Sequence, residues 1–465
     1  MKHRRIAAAL SLALVGAIAT TFAGCGLFDS LRADSKFPYD VAVERGYDGS
    51  EESWLASLDT PSTRERRLYE EAKELDGYQG SFMEFLKEMG LSGADDTAAV
   101  NGALRSAVAI EALYRNTVYD TSLSLSMGSG VVYSEASDGG LYVVTNYHVV
   151  YSAKRGVSDE IYLYLYGAVH KGDGRVYSRA LKASYVGGAM QYDIALLKVS
   201  TDTVVTETSG STHTNGNVLK DCDYLELTGA NSDAVTVGER VYAIGNAEGD
   251  GLSVTAGIVS VDAEYIDITL SDDSTVASFL EIRTDAAVNH GNSGGGLFNA
   301  AGELVGIVNA RAEGDGEVGF GYAIPANLAL SVAQNILDNA PSAQKGAVRA
   351  VLGISVQTAD SKAVYNAETG KYYIEEKVTV SEVQSGSLAY GAGLEKNDTV
   401  ISMTHKRAGE TVRTVNVTRM FHLTNYLFEI RQGDTLVLTV TRNGQAQPLD
   451  ITLTFNSSKN FKLFS

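Results

Sequence analysis

The sequence predicts a mainly β protein, with many short strands in two or three domains and a small helical region near its amino-terminal end. Glycine is plentiful and proline is scarce, with 47 and 5 of the 465 residues, a composition that suits short strands joined by tight turns. A hydrophobic content of 44% is enough for more than one core. Residues 161 to 166 alternate aliphatic side chains with tyrosine, as a strand with one buried and one partly wet face does.

The first 24 residues are predicted to be a lipoprotein signal peptide. Three basic residues precede an apolar stretch over residues 6 to 22, whose length and small residues distinguish it from a stop-transfer anchor. The segment FAGC, residues 22 to 25, resembles a bacterial lipobox, so Cys25 is the predicted lipidation site. An acyl chain there would hold the protein at the extracytoplasmic face of the cell membrane. Ordinary secretion with an incidental cysteine is the alternative.

Residues 25 to 100 are acidic and helix-prone, and they contain an internal repeat. The segment GYDGS at residues 46 to 50, followed by Trp54, recurs as GYQGS at residues 77 to 81. Each copy predicts a helix, a glycine turn and a second helix. The first copy resembles short segments of Firmicutes surface proteins, which indicates a Gram-positive source. We interpret the region as a helical spacer with aromatic residues packed between helices, and a recognition role for Trp54 is the weaker alternative.

Charge and composition exclude several classes of function. The formal net charge of -19 argues against nucleic-acid binding, because an acidic surface repels phosphates. The same surface repels anionic lipid head groups, so membrane attachment is expected to depend on the lipid at Cys25. Neither a metal nor an organic cofactor is predicted, since the sequence has no HExxH segment, its 7 histidines are dispersed and it has only 2 cysteines.

The most informative segment is TDAAVNHGNSGGG, residues 284 to 296, which places a serine among glycines. A serine hydroxyl is a weak nucleophile, so it needs a base to take its proton and an acid to orient that base. Ser293 is the candidate nucleophile. The glycines let the backbone turn tightly, so the amides of Gly291 and Ser293, with Asn292 between them, form the candidate oxyanion hole.

The candidate base and acid lie upstream, each at one end of an apolar run. His148 lies near the end of YVVTNYHVV, residues 142 to 150, and Asp193 begins DIALLKV, residues 193 to 199. The carboxylate would accept the second imidazole proton and fix the tautomer. Taken alone, such residues are more often structural: a core histidine, a turn-capping acid and a flexible glycine loop. Their occurrence together, in the order His, Asp, Ser, favours catalysis.

Together these segments resemble the HtrA (Deg) family of serine proteases, which have a chymotrypsin-like fold of two β-barrels followed by one or more PDZ domains. The resemblance covers residues 105 to 455. Further matching segments are GSGVV, AIGN, GIVS and GFGYAIP, which begin at residues 128, 243, 257 and 319. The resemblance implies a trypsin-like protease domain over residues 101 to 342 and a PDZ domain over residues 347 to 457.

The family resemblance implies a membrane-anchored serine endopeptidase that degrades misfolded or exported proteins and captures peptide tails with its PDZ domain. It also implies a homotrimer. Where the family usually has proline, three residues before and three after the nucleophile, this chain has His290 and Gly296. The loss of two constraints on φ predicts a looser loop. It also motivates the alternative of a catalytically weak peptide-binding or chaperone protein on the protease fold. His290 is interpreted as a surface loop residue, because His148 already fills the role of base.

Cleavage is predicted after small or medium aliphatic residues. Trypsin-like enzymes that cut after Lys or Arg have an acid six residues before the nucleophile, and Ala287 stands there in this chain. The predicted pocket wall, Val308, Asn309 and Ala310, is small and mostly apolar.

From about residue 348 the chain resembles a PDZ domain, a module that binds an extended peptide along the edge of a sheet. The resemblance implies a carboxylate-binding loop and first groove strand around residues 352 to 354, and a groove helix over residues 420 to 430. The expected peptide-binding residues are Leu352, Gly353, Ile354, Leu423 and Leu427. The alternative for the apolar helix residues is that they fill the domain core.

Overall fold

The computed structural model describes residues 96–114, 124–227, 232–311, 320–340, 345–367 and 370–465. The predicted signal peptide, Cys25 and the internal repeat lie outside these described residues. Thr97–Ser465 is a unit of its own, and it contains two closed β-barrels followed by a further sheet domain.

The first barrel is built from the amino-terminal elements of this unit. They are α1 Thr97–Leu104, β1 Ala107–Tyr114, β2 Ser124–Glu135, β3 Leu141–Thr145, α2 Tyr147–Val150, β4 Tyr151–Ser152, β5 Gly156–Val157, β6 Glu160–Leu165, β7 Leu181–Ala189 and β8 Ile194–Val199. The barrel closes in the order β1-β2-β3-β8-β7-β6. Apolar side chains from alternate positions, among them Val108, Ile110 and Leu163, fill its interior and are fully buried.

The polar stretch of the chain that follows the first barrel, residues 201 to 221, forms regular secondary structure. It forms a hairpin of β9 Val204–Thr206 and β10 Thr212–Thr214, followed by α3 Asn215–Asp221. Val205 joins a buried cluster with Tyr162 and Tyr164 of β6. The tyrosine face of β6, expected to be partly wet, is therefore buried, because the hairpin and the preceding loop cover it.

The second barrel repeats the same strand arrangement. Its strands are β11 Arg240–Gly245, β12 Ser253–Thr269, β13 Val276–Thr284, β14 Gly296–Asn299, β15 Leu304–Arg311 and β16 Gly321–Pro325, in the closed order β11-β12-β13-β16-β15-β14. β14 and β15 form the hairpin behind Ser293. Two six-stranded antiparallel barrels of the same order are the chymotrypsin-like fold that the resemblance implied.

Helix α4 Ala326–Asn339 joins the barrels to the domain that follows. The apolar face of α4, including Val332 and Ile336, belongs to a core cluster that also holds Leu196 of the first barrel and Phe298 of the second. The side-chain amide of Asn335, fully buried, donates to the carbonyls of Val348 and Phe428 at 2.8 and 2.7 Å. Because a buried amide without partners is costly, these bonds fix the position of the last domain on α4.

The last domain is a PDZ-type sheet with two short helices. Its elements are β17 Ala347–Ala350, β18 Ile354–Asn366, β19 Lys371–Val383, α5 Leu388–Gly391, β20 Thr399–Arg407, β21 Glu410–Asn416, α6 Met420–Tyr426, β22 Thr435–Thr441, β23 Leu449–Thr454 and β24 Phe461–Phe464. The sheet order is β18-β19-β20-β22-β23, with β21 paired to β20 and a separate pair of β17 and β24. The groove helix α6 ends at Tyr426 rather than at residue 430. The chain turns there because Phe428 is fully buried against Tyr192 of the protease region, with ring centroids 4.8 Å apart.

Candidate active site

The candidate base and acid meet at the end of the first barrel. His148 lies on the single-turn helix α2, which follows β3 directly. The Nδ1 atom of His148 is 2.6 Å from Oδ2 of Asp193, and the backbone amide of His148 donates to the other carboxylate oxygen at 2.9 Å. One carboxylate therefore orients both the ring and the backbone of the base, which leaves Nε2 as the nitrogen that can take a proton.

Asp193 is held in a conformation that few residues other than glycine adopt. Its φ is 48°, in the left-handed region, at the end of the 3₁₀ turn Met190–Tyr192. The carbonyl of Asp193 accepts hydrogen bonds from the side chain of Asn146 at 2.9 Å and from the amide of Tyr147 at 3.1 Å. These contacts tie the acid to the segment that carries the base, and they compensate for the backbone strain.

The carboxylate also changes the acidity of the imidazole. Burial disfavours the charged ring, but the negative charge of Asp193 and its hydrogen bond outweigh this effect, so the pKa of His148 is raised above its ordinary value. A raised pKa makes His148 a stronger base once it is neutral.

Ser293 lies next to the helix of the base. A Cβ at Gly128 would be 2.6 Å from the side chain of Val149 and 3.1 Å from the carbonyl of Ser293. Gly128 therefore lies between helix α2 and the nucleophile loop, and both pack closely against it. The amide of Ser129 donates to the carbonyl of Ser293 at 2.8 Å. The structure thus brings the three candidate triad segments together across the two barrels.

Hydrogen bonds to three successive carbonyls hold the loop before Ser293. The carbonyl of His290 accepts from the amide of Glu248 at 2.7 Å, and the carbonyl of Gly291 accepts from the hydroxyl of Ser129 at 2.7 Å. The carbonyl of Asn292 accepts from the amide of Gly295 at 2.9 Å. In a trans peptide, the N–H points away from the preceding carbonyl, so these bonds fix the direction of each following amide.

Among the described residues, the amides of Gly291 and Ser293 make no hydrogen bond to the protein, whereas the amide of Asn292 donates to the carbonyl of Asn289 at 3.1 Å. The candidate oxyanion hole therefore has two available donors, Gly291 and Ser293. Asn292 does not contribute its amide in this arrangement. Its side chain is buried, and its Oδ1 atom has no hydrogen-bond partner among the described residues.

The candidate peptide-binding edge of the PDZ-type domain is strand β18. Within the described part of the chain, β18 pairs with β19 on one side only, so its other edge is available for an added strand. Gly353 has a φ of 78°, and a Cβ there would collide with the side chain of Ser387. Ile354 begins the edge strand and is half-buried. Leu352 is buried beneath the loop.

Leu423 and Leu427, predicted to line the peptide pocket, are 2% and 8% exposed and lie in the core cluster of the PDZ-type domain. Leu352 belongs to the same cluster. The three leucines therefore fill the domain core, which was the alternative for the apolar helix residues. Leu427 follows the end of α6 and is its cap residue.

Known proteins share both regions. The family of trypsin-like peptidase domains matches residues 128–307, and the family of PDZ domains matches residues 350–453. The serine protease Do-like HtrA of Lactococcus lactis subsp. lactis is 30% identical over 344 residues, which cover 72% of this chain and 72% of that protein. This chain belongs to the HtrA family of serine proteases.

Other HtrA relatives are longer than the matched region. The periplasmic pH-dependent serine endoprotease DegQ of Escherichia coli is 30% identical over 339 residues, 72% of this chain and 60% of that protein. The serine protease Do-like HtrA of Bacillus subtilis is 32% identical over 336 residues, 70% of this chain and 63% of that protein. The match therefore spans less than two thirds of either relative. The solved structure of the HtrA-type protease AlgW with tripeptide aligns with 80% of this chain and 98% of its own, at 25% identity and a TM-score of 0.47.

The predicted specificity pocket of this HtrA chain is only partly lined by the expected side chains. Ala287 is exposed, and its carbonyl accepts from the hydroxyl of Thr255 at 2.7 Å. Val308 points into the core of the second barrel. The backbone of Ala310 pairs with Tyr322, and its side chain is outside the described set. Asn309 is 4% exposed and lies next to the nucleophile.

The sequence did not predict the contacts that Asn309 and Glu281 make beside the nucleophile of this HtrA site. The hydroxyl of Ser293 donates to the carbonyl of Asn309 at 3.1 Å, and within the described residues it makes no hydrogen bond to His148. The side-chain amide of Asn309 donates to the carboxyl of Glu281 at 2.7 Å. The sequence signal for this contact is a glutamate inside the apolar run of β13, because burying an acid is costly unless it has a partner.

Proposed function

We propose that this chain is a serine endopeptidase with His148, Asp193 and Ser293 as its catalytic triad. The observation that carries the proposal is the short contact between His148 and Asp193 beside a serine loop with two available amides. Because the chain belongs to the HtrA family of serine proteases, we also expect it to hydrolyse peptide bonds.

In the reaction, Ser293 turns from Asn309 towards Nε2 of His148. The imidazole takes the hydroxyl proton while the oxygen attacks the substrate carbonyl, and the amides of Gly291 and Ser293 receive the negative charge. His148 then returns the proton to the leaving amine, and the acyl group stays on Ser293. A water molecule, activated by the same imidazole, releases the acid product.

The substrates we propose are unfolded or exported polypeptides at the extracytoplasmic face of the membrane, with their tails captured along the open edge of β18. The relative from Escherichia coli, DegQ, is a periplasmic serine endoprotease, which supports this setting. The helices of the described ranges include none long and apolar enough to cross a membrane. Attachment through a lipid at Cys25 and assembly as a homotrimer remain part of the proposal.

Degradation of unfolded casein tests the proposed activity. We expect the purified protein to cleave casein, and Ser293→Ala to reduce cleavage by a factor of about 10⁴ or more, because the nucleophile is lost. Ser278→Ala is the matched control, since Ser278 is an exposed serine on β13 of the same barrel. Intact casein with the unmodified protein, in the presence of a PDZ-binding peptide, would contradict the proposal.

One observation favours a second candidate, a peptide-binding protein with little protease activity. The hydroxyl of Ser293 is bonded to Asn309 and not to the base. A fluorophosphonate reagent separates the two candidates, because it reacts only with a serine that its base can activate. Rapid labelling that Ser293→Ala abolishes supports the protease, and labelling no faster than that of Ser293→Ala supports the binding protein.

A further inference from the structure

A fully buried carboxyl group, that of Glu281, is connected to the nucleophile Ser293 through a single residue, Asn309. Glu281, on β13, has no exposed surface. Its Oε1 atom accepts the hydrogen bond from the side-chain amide of Asn309, and its Oε2 atom has no partner among the described residues. Leucine would fill such a position without the cost of burying a polar group, so the acid requires a reason.

Burial and the neighbouring carboxylates both change the acidity of Glu281. Burial raises the pKa of Glu281 well above its ordinary value, and the negative charges of Asp193 and Glu264 raise it further, while the bond from Asn309 acts in the opposite direction. The nearby Arg283 pairs with Glu264 at 3.2 Å. Burial and the two neighbouring acids thus favour the protonated form of Glu281, in which Oε1 still accepts the bond from Asn309.

Asn309 is the residue through which Glu281 reaches the nucleophile. In the pairing of β15 with β16, Val308 lies opposite Ala323 and Ala310 lies opposite Tyr322, so Asn309 is the extra residue of a β-bulge. A bulge redirects one residue of a strand and is common beside active sites. Here the side chain of Asn309 is bonded to Glu281, and its carbonyl accepts the hydroxyl of Ser293.

We propose that Glu281 is a positioning residue, which fixes the bulge at Asn309 and so places the carbonyl that holds the hydroxyl of Ser293 before substrate binds. The proposal rests on the proposed protease function. When Ser293 turns to His148, the carbonyl of Asn309 becomes a free acceptor beside the nucleophile, available to an N–H of a peptide substrate. Glu281 thereby controls both the resting nucleophile and the docking of the substrate backbone.

Two substitutions at position 281 separate positioning from simple packing. Glu281→Gln keeps an oxygen for Asn309 and should behave like the unmodified protein, because the amide of Asn309 keeps its acceptor. Glu281→Leu keeps the approximate volume but leaves the amide of Asn309 without its acceptor. We expect Glu281→Leu to raise the KM for a peptide substrate about tenfold without lowering kcat, since the displaced carbonyl of Asn309 would lose one hydrogen bond to the substrate backbone, and the free energy of one such bond is of that size.

The small fluorophosphonate has no peptide N–H to donate to the carbonyl of Asn309. The rate of its reaction with Ser293 should therefore rise in Glu281→Leu, whereas binding of the peptide substrate weakens. We expect Glu281→Leu to accelerate labelling of Ser293 by about 2-fold to 10-fold, the range set by one hydrogen bond. Equal values for Glu281→Leu and the unmodified protein would overturn the proposal. Equal losses in Glu281→Gln and Glu281→Leu would also overturn it, because Gln keeps the acceptor oxygen and the loss could then not come from the bond to Asn309.

Crystal structures of the three proteins give a readout that needs no activity. Ser293 should be bonded to the carbonyl of Asn309 in the unmodified protein and in Glu281→Gln, and displaced from it in Glu281→Leu. An unchanged Ser293 in Glu281→Leu contradicts the positioning role even if the chain proves not to be a protease. Absence of labelling in the unmodified protein, with the expected displacement in the crystal, would count against the protease function alone.

Discussion

At the scale of single residues, Asp193 controls the base in two ways. Its carboxylate accepts from both the ring and the backbone amide of His148, at 2.6 and 2.9 Å. Its negative charge also outweighs the burial that disfavours a charged imidazole, so the pKa of His148 is raised. Position and protonation of the base therefore depend on the same side chain.

The raised pKa predicts the acid side of the pH profile. Because the base must be neutral, kcat/KM should fall as the pH drops through the pKa of His148, at a midpoint above the usual value of about 6.5. Asp193→Asn removes the charge, so it should lower both this midpoint and the rate, the latter by up to about 10⁴-fold. Steady-state rates of peptide hydrolysis from pH 5 to pH 9 provide the measurement.

The matched control for Asp193→Asn is Asp267→Asn, because Asp267 is exposed on β12. Its profile should coincide with that of the unmodified protein. If the acid limb stays in place in Asp193→Asn, the carboxylate does not set the pKa of His148.

The triad candidates were visible in the sequence because each lies in a short local pattern that carries its own meaning. Asp193 begins a buried strand, His148 follows one, and Ser293 lies among glycines. The role of Asn309 was only partly visible: a position in the pocket wall was predicted, but its bond to the nucleophile was not. Glu281 was not identified, because its partner is 28 residues away in the chain and meets it only when the barrel closes.

At the scale of structural elements, the nucleophile loop is held by other contacts than the two usual prolines. Its successive carbonyls accept bonds from Glu248, Ser129 and Gly295, and these contacts constrain the loop where the two prolines are absent. Gly296, at one of the proline positions, has no room for a larger residue. A Cβ there would collide with the ring of Phe298 and lie 3.0 Å from Leu304.

This packing predicts that Gly296→Ala is destabilising even though alanine is a mild substitution. Overpacking of a filled core costs about 1 to 3 kcal/mol, and the shift of the Phe298 ring should be transmitted to the adjoining Ser293 loop. We expect a lower midpoint in urea unfolding and slower fluorophosphonate labelling. Gly391→Ala is the matched control, since a Cβ there meets no atom within 4 Å. A Gly296→Ala protein as stable as Gly391→Ala would show that the ring can move freely.

The element that sequence patterns described least well is the groove helix. The resemblance to a PDZ domain implied a groove helix over residues 420 to 430, whereas α6 ends at Tyr426. Periodicity could not reveal this end, because Phe428 leaves the helical path for a contact with Tyr192, which lies in the protease region. Long-range packing of this kind overrides local propensity.

At the scale of the whole molecule, one strand links the candidate pocket to the PDZ domain. β12 is 17 residues long. Near its start, Thr255 donates to the carbonyl of Ala287 beside the nucleophile loop. Further along, Asp262 accepts from the guanidinium of Arg419 at 3.1 Å, immediately before the groove helix α6. The same guanidinium lies 3.5 Å from Glu376 of β19.

Arg419 should therefore act as a tie between the two domains. It is 9% exposed, so its ion pairs are less screened by water than surface pairs are. We expect Arg419→Ala to lower the free energy of unfolding by about 1 to 3 kcal/mol, because Asp262 and Glu376 are left without a cation. Hydrogen exchange gives the local readout: the amides of β12 around Asp262 and those of α6 should both exchange faster.

Arg175→Ala provides the comparison for this substitution, because Arg175 is an exposed arginine on the first barrel, 3.7 Å from Asp173. It should leave exchange in β12 and α6 unchanged. Faster exchange in α6 alone would mean that Arg419 stabilises only its own domain. Faster exchange in both elements, reaching the amides near Thr255, would establish β12 as the physical connection between the peptide groove and the site around Ser293.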